Sequence, residues 1–117
     1  CERVRISPDE DGAQPPAQFV GKASTGARES LRLGSTYQAR HLAEIGLTEA
    51  EDDLELLALA TRACWLTGQY DDAAAHGDRW LRLARERDDV SEEAAALSMR
   101  MRTAREAGAL ADMARFT

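Results

Sequence analysis

This sequence predicts an all-α fold in which antiparallel helix pairs stack side by side behind an irregular N-terminal arm. Three observations carry that expectation. Helix formers dominate from about Ala17 onward, while β-branched residues are sparse. Apolar residues recur at intervals of three and four, the spacing of one face of a helix. Glycines punctuate the periodic segments, most clearly at Gly68, where residues 57–84 read as two amphipathic helices joined by a tight turn.

Residues 7–18 are polar and contain all three prolines, so 1–18 read as an arm or linker and 19–117 as the helical domain. Val4-Arg5-Ile6 alternates in character, but so short a run does not define a strand. Gly34 and Ser35 divide the first helical region, about 24–46, into a short helix and a longer one that Ser35 caps and Gly46 ends. Thr48 to Glu51 has the form of a capping box and should start a helix running to about Thr67. Glu49, Glu51, Asp52 and Asp53 would then face the positive end of its dipole. The second half of that helix is apolar around most of its circumference, interrupted by Thr61 and Arg62, so it must be covered on more than one side.

The next helix, about Tyr70 to Arg87, places Tyr70, Ala73, Ala74, Gly77, Trp80, Leu81 and Ala84 on one stripe. Asp78 and Arg82 stand in i,i+4 order on its other side. Ser91 should cap a helix to about Ala107 with Ala94, Leu97, Met101 and Ala104 inward. Gly108 closes that helix and opens another, so Gly68 and Gly108 mark a repeat of forty residues.

Composition narrows the class of function. At 117 residues the chain has about the length of one domain, and 44% hydrophobic with 31% charged residues suits a soluble globular fold. We expect a cytoplasmic segment of a longer protein. The chain begins at Cys1, its one lysine is Lys22 against many arginines, and no apolar run approaches the length of a membrane span. A net charge of −6 disfavours direct contact with nucleic acid, since such binding rests on excess Lys and Arg. The acidic residues are spread along the chain and read as a solvated surface.

Gly68-Gln69-Tyr70-Asp71-Asp72-Ala73 resembles the G-x-Y-x-x-A turn of the tetratricopeptide repeat. In that repeat the glycine closes the first helix, the aromatic residue opens the second, and the alanine allows close approach. Leu57, Ala60, Thr61 and Cys64 fall where the first helix of the repeat has its packing residues. The chain departs from the pattern at Gly77, where an aromatic is usual, at Trp80, where a small residue is usual, and at Arg85, near the usual proline. The interchange at 77 and 80 reads as compensatory, the tryptophan filling what the glycine leaves. The packing that defines the repeat is then expected from Leu57, Cys64, Gly68, Ala73, Gly77, Trp80 and Gly108. The alanine- and arginine-rich texture is similar to the helical repeat regions of bacterial transcriptional regulators of the LuxR/MalT type. That resemblance implies a role in effector sensing or self-association.

Chemical motifs are few. Gly21-Lys22-Ala23 lacks both the earlier glycine of a phosphate loop, Pro16 standing there, and the Ser or Thr after the lysine. His41 and His76 lie on different helices with no metal-ligand spacing, and Cys64 reads as a small buried hydrophobe. Paired carboxylates such as Asp71 and Asp72 sit where helix capping accounts for them. No catalytic, cofactor or metal residue is expected, and the chain is read as a non-enzymatic module that binds a protein or peptide, or senses a small-molecule effector. Arg62, Trp65, Tyr70 and Arg79 are the candidates for its partner-binding face. The alternatives are a helical bundle whose ligand-binding or enzymatic site uses His41, His76 or Cys64, and a scaffold for homodimers.

Overall fold

Three of the four connections between helices are the same turn, and that turn sets the architecture. The computed structural model describes residues 16–115, which form α1 (Pro16–Arg32), α2 (Thr36–Glu49), α3 (Leu54–Leu66), α4 (Tyr70–Glu86) and α5 (Val90–Arg115). At the end of α3, Gly68 takes a φ of 78°, the Gln69 amide donates to the Cys64 carbonyl at 2.8 Å and the Gly68 amide to the Trp65 carbonyl at 3.2 Å. That pair of bonds satisfies carbonyls the helix leaves open and folds the chain back on itself. Gly34 repeats the arrangement between α1 and α2, and Asp88, at φ 54°, repeats it between α4 and α5. Aspartate is among the few non-glycine residues that tolerate this left-handed conformation.

Gly34 and Gly68 stand 34 residues apart, as do Thr36 and Tyr70, the first residues of α2 and α4. The spacing extends into the core: Ala23 and Leu57, Ala27 and Thr61, Ala39 and Ala73, and Leu47 and Leu81 are pairs in the same register, all buried. The repeat length is therefore 34 rather than forty. Gly108 marks no boundary, because it lies inside the continuous α5, exposed, with open space where a Cβ would stand.

Each helix packs against its neighbours in sequence. In addition α1 touches α3 and α3 touches α5, whereas the backbones of α2 and α4 do not come close to one another among the described residues. The odd helices thus form one layer and the even helices the other, with α3 flanked by α1 and α5 in its own layer and covered by α2 and α4 of the other. This placement accounts for the apolar circumference of α3: Leu56, Leu57, Ala60, Ala63 and Cys64 are all inaccessible to solvent. Each leucine so buried contributes about 1.5–3 kcal/mol.

Several local expectations are corrected. α1 begins at Pro16, a favoured first helical residue, so the helix reaches into the segment read as an arm. Val4-Arg5-Ile6 and the rest of 1–15 lie outside the described residues. α2 does not stop at Gly46 but continues to Glu49, burying Leu47. Thr48 forms no capping box; its hydroxyl donates back to the Ile45 carbonyl at 2.6 Å, inside α2. The cap of α3 is Asp53, whose Oδ1 accepts from the Leu56 amide at 2.9 Å. Ser35 stands at the N-cap of α2 without a side-chain bond, and at α5 Asp89 rather than Ser91 accepts from a first-turn amide, that of Glu92 at 3.1 Å.

The inward face of α5 is also different. Ala96 and Thr103 are buried with Met99 half-buried, while Ala94, Leu97, Met101 and Ala104 are exposed. Both stripes have helical spacing. Trp80 fills the junction of α4 and α5 and its indole donates to Glu92 Oε1 at 2.9 Å, so a residue as small as alanine suits position 96. On α4, Ala74 is exposed and Leu83 takes a place in the core. Asp78 pairs across to Arg100 of α5 at 2.7 Å rather than along its own helix to Arg82.

Candidate functional site

The two layers create a groove on one side of α3 and a cluster of polar side chains on the other. The groove, about 660 Å³, runs between α3 and α5. Its apolar lining comes from Leu54, Ala58 and Leu59 of α3, Ala95 and Met99 of α5, and Trp80 of α4 at the base. Its size and mixed lining fall within the range of pockets that bind ligands.

The groove is electrostatically polarised along its length. Glu55, Asp89 and Glu92 gather near the first turns of α3 and α5, while Arg62 and Arg102 stand two to three turns further along. The acidic end is already engaged: Glu55 pairs with Arg28, Glu92 accepts from Trp80, and Asp89 caps α5. At the basic end neither Arg62 nor Arg102 has a carboxylate partner among the described residues. The Arg102 guanidinium lies 6.0 Å from the centre of the Trp65 ring, a cation–π distance.

The candidate partner-binding residues are therefore not one surface. Arg62 lines the groove, and Trp65, half-buried, adjoins it through Arg102. Arg79 faces elsewhere, 3.9 and 3.7 Å from the carboxylates of Glu51 and Asp52 and donating to the Glu51 carbonyl in the loop between α2 and α3. Tyr70 is half-buried at the start of α4. Of the residues read as repeat packing, Leu57, Cys64, Ala73, Gly77 and Trp80 are buried as a set and Gly68 makes its turn. The compensation expected between Gly77 and Trp80 is absent. A Cβ at Gly77 would meet Thr61 Cγ2 at 3.5 Å and Arg100 Cγ at 3.7 Å, both ordinary contacts, and no atom of Trp80.

On the opposite side of α3, side chains from three helices converge. His76 Nε2 of α4 lies 3.4 Å from Glu44 Oε2 of α2, and the Cys64 thiol of α3 donates to the same oxygen at 3.7 Å. Cys64 is fully buried, whereas His76 and Glu44 reach the surface, with side chains 19% and 37% exposed. Burial, reinforced by the negative charges of Glu44 and Asp72, pushes the Cys64 thiol up to about 12. A thiol so placed is the reverse of an activated nucleophile. Arg40 Nε stands 3.8 Å from the other oxygen of Glu44, and its guanidinium lies 5.9 Å from the centre of the Tyr37 ring. His41 is exposed and takes no part.

No protein-family model, curated protein or solved structure matches this chain.

The alternative site of His41, His76 or Cys64 is met only in part: His76 and Cys64 come together with Glu44, which no spacing in the sequence marks, because residues 44, 64 and 76 meet only through the helix packing. The groove is half legible in the sequence. Arg62 stands out as a charge on an otherwise apolar helix, but the inward stripe expected on α5, Ala94, Leu97, Met101 and Ala104, does not include Met99 or Arg102.

Proposed function

We propose that this chain is a helical repeat module of the tetratricopeptide type that holds a peptide segment of a partner protein in the groove between α3 and α5. The observation that carries the reading is the polarised groove, in which an apolar base flanked by Trp80, Leu59 and Met99 leads to Arg62 and Arg102, neither paired with a carboxylate among the described residues. The 34-residue register of α1–α2 on α3–α4 supports the repeat assignment, since that is the period of this repeat class. Stacked repeats of this kind present a concave face to their ligands. The peptide best suited to the groove carries two or three apolar side chains and an acidic group that meets the two arginines, a charge-assisted contact. Within a larger bacterial regulator, occupation of the groove would report the partner or effector to neighbouring domains.

Both tryptophans border this region, so intrinsic fluorescence reads it directly. A panel of short apolar peptides with and without acidic residues should separate, the acidic members shifting the emission at lower concentration. Arg62→Ala and Arg102→Ala should weaken that response while leaving the melting temperature in place. A panel that produces no response, or one indifferent to both substitutions, overturns the reading.

The exposed stripe Ala94, Leu97, Met101 and Ala104 favours a second reading, in which this face of α5 is covered by another helix or by a second copy of the chain. Met101→Lys would abolish self-association seen by sedimentation if the stripe pairs two copies.

A further inference from the structure

The cluster behind α3 offers three different metal-ligating atoms, Glu44 Oε2, Cys64 Sγ and His76 Nε2, all within 4.8 Å of one another. Two of the three separations match the edges of a coordination tetrahedron. With metal–sulfur bonds of about 2.3 Å and metal–nitrogen and metal–oxygen bonds of about 2.0 Å, tetrahedral geometry requires roughly 3.5 Å between sulfur and oxygen and roughly 3.3 Å between nitrogen and oxygen. The observed values are 3.7 and 3.4 Å. The third separation, sulfur to nitrogen, lies within 4.8 Å and would shorten as an ion binds.

We propose that Glu44, Cys64 and His76 form a binding site for a divalent cation of the zinc class, which ties α2 of the first helix pair to α3 and α4 of the second. One sulfur, one nitrogen and one oxygen suit zinc or cobalt rather than magnesium or calcium, which take oxygen ligands. Thiolate and carboxylate together neutralise the ion's charge, and as the metal–sulfur bond forms the thiol proton passes to solvent. Arg40 Nε, 3.8 Å from the second carboxylate oxygen of Glu44, keeps a positive charge beside that ligand without hydrogen-bonding to it. With three protein ligands, the fourth position would be filled by a water. The backbones of α2 and α4 stand apart among the described residues, so an ion held by Glu44 and His76 would strengthen the side-chain link between the even helices and fix the angle between the two helix pairs. The site lies across α3 from the peptide groove and does not depend on it.

Cobalt(II) and zinc(II) titrations of the full chain carrying Cys1→Ser test the proposal. One ion should bind per chain, with cobalt giving a sulfur-to-metal charge-transfer band and the intense visible bands of tetrahedral coordination. Glu44→Gln and His76→Ala change partly exposed side chains and should leave the helical spectrum intact, yet each should weaken zinc binding by roughly tenfold or more. Cys64→Ser should remove the charge-transfer band, and His41→Ala should change nothing. Absence of binding, binding without a sulfur band, or affinity unaltered by Glu44→Gln and His76→Ala would overturn the site.

Discussion

Gly46 and Trp80 occupy the same position of the 34-residue register, on α2 and α4, and they build opposite interfaces. At Gly46 the helices close up: a Cβ there would lie 2.9 Å from Leu56 Cδ1 and 3.0 Å from Ala23 Cβ, so α1, α2 and α3 meet with no room to spare. At Trp80 the indole is inserted where the first pair has a hydrogen atom, and it forms the base of the groove that separates α3 from α5. One scaffold therefore gives a sealed junction between α1 and α3 and an open one between α3 and α5. The side chain at a single repeat position decides which.

The same register sets Cys64 opposite Ser30, both buried, and the largest expected effect concerns that pair. With its thiol pushed up to about 12, Cys64 holds roughly three orders of magnitude less thiolate at mildly alkaline pH than a free cysteine. In a Cys1→Ser background the metal-free folded chain should resist a disulfide reagent and react fully once unfolded. The sign of the pH dependence follows. Above the ordinary thiol range the unfolded chain releases this proton while the folded chain retains it, so stability falls as pH rises from about 9 towards 12. Cys64→Ser should remove that part of the decline. Ready reaction in the native state would show that the second helix pair is not closed over α3 as the first is.

Trp80→Ala should cost about 3–5 kcal/mol in denaturant unfolding, the range for a buried tryptophan left as a cavity. If the groove depends on that indole, peptide binding should be lost in the same variant under conditions where it remains folded. A small cost would mean that α3 and α5 stay apart without it, and the comparison with Gly46 would fail.

Much of this was legible in the sequence, and the failures have physical causes. Gly34 and Gly68 were readable as turns because a left-handed residue closing a helix strongly favours glycine. Asp88 makes the same turn and was missed, since aspartate gives no such signal in a segment full of charges. The capping box at Thr48 and the true cap at Asp53 both have the local pattern of a helix start; burial of Leu47, a tertiary fact, selects the second. Gly46 has the sequence signature of a helix end because its role, close approach of three helices, is invisible until the partners are known. The Glu44–Cys64–His76 cluster is hidden for the same reason.

Gly46→Ala tests the sealed junction directly. The added methyl gains about 1 kcal/mol in helix propensity, but it must displace Leu56, which is fully buried and cannot yield cheaply. The overpacking should prevail, for a net loss of about 1–2 kcal/mol.

Gly77→Ala is the counterpart with the smallest effect and the opposite sign. The first helix pair already has alanine at this register, Ala43, fully buried, which shows that the position accepts a methyl when its neighbours stand back. At Gly77 they do: Thr61 and Arg100 lie at ordinary contact distance from the Cβ that would be added, so the propensity gain is not spent on displacement. Thermal or denaturant unfolding should show a stabilisation of about 0.5–1 kcal/mol. A loss instead would mean that α4 lies closer to α3 than these distances allow, and that the second pair is sealed at Gly77 as the first is at Gly46.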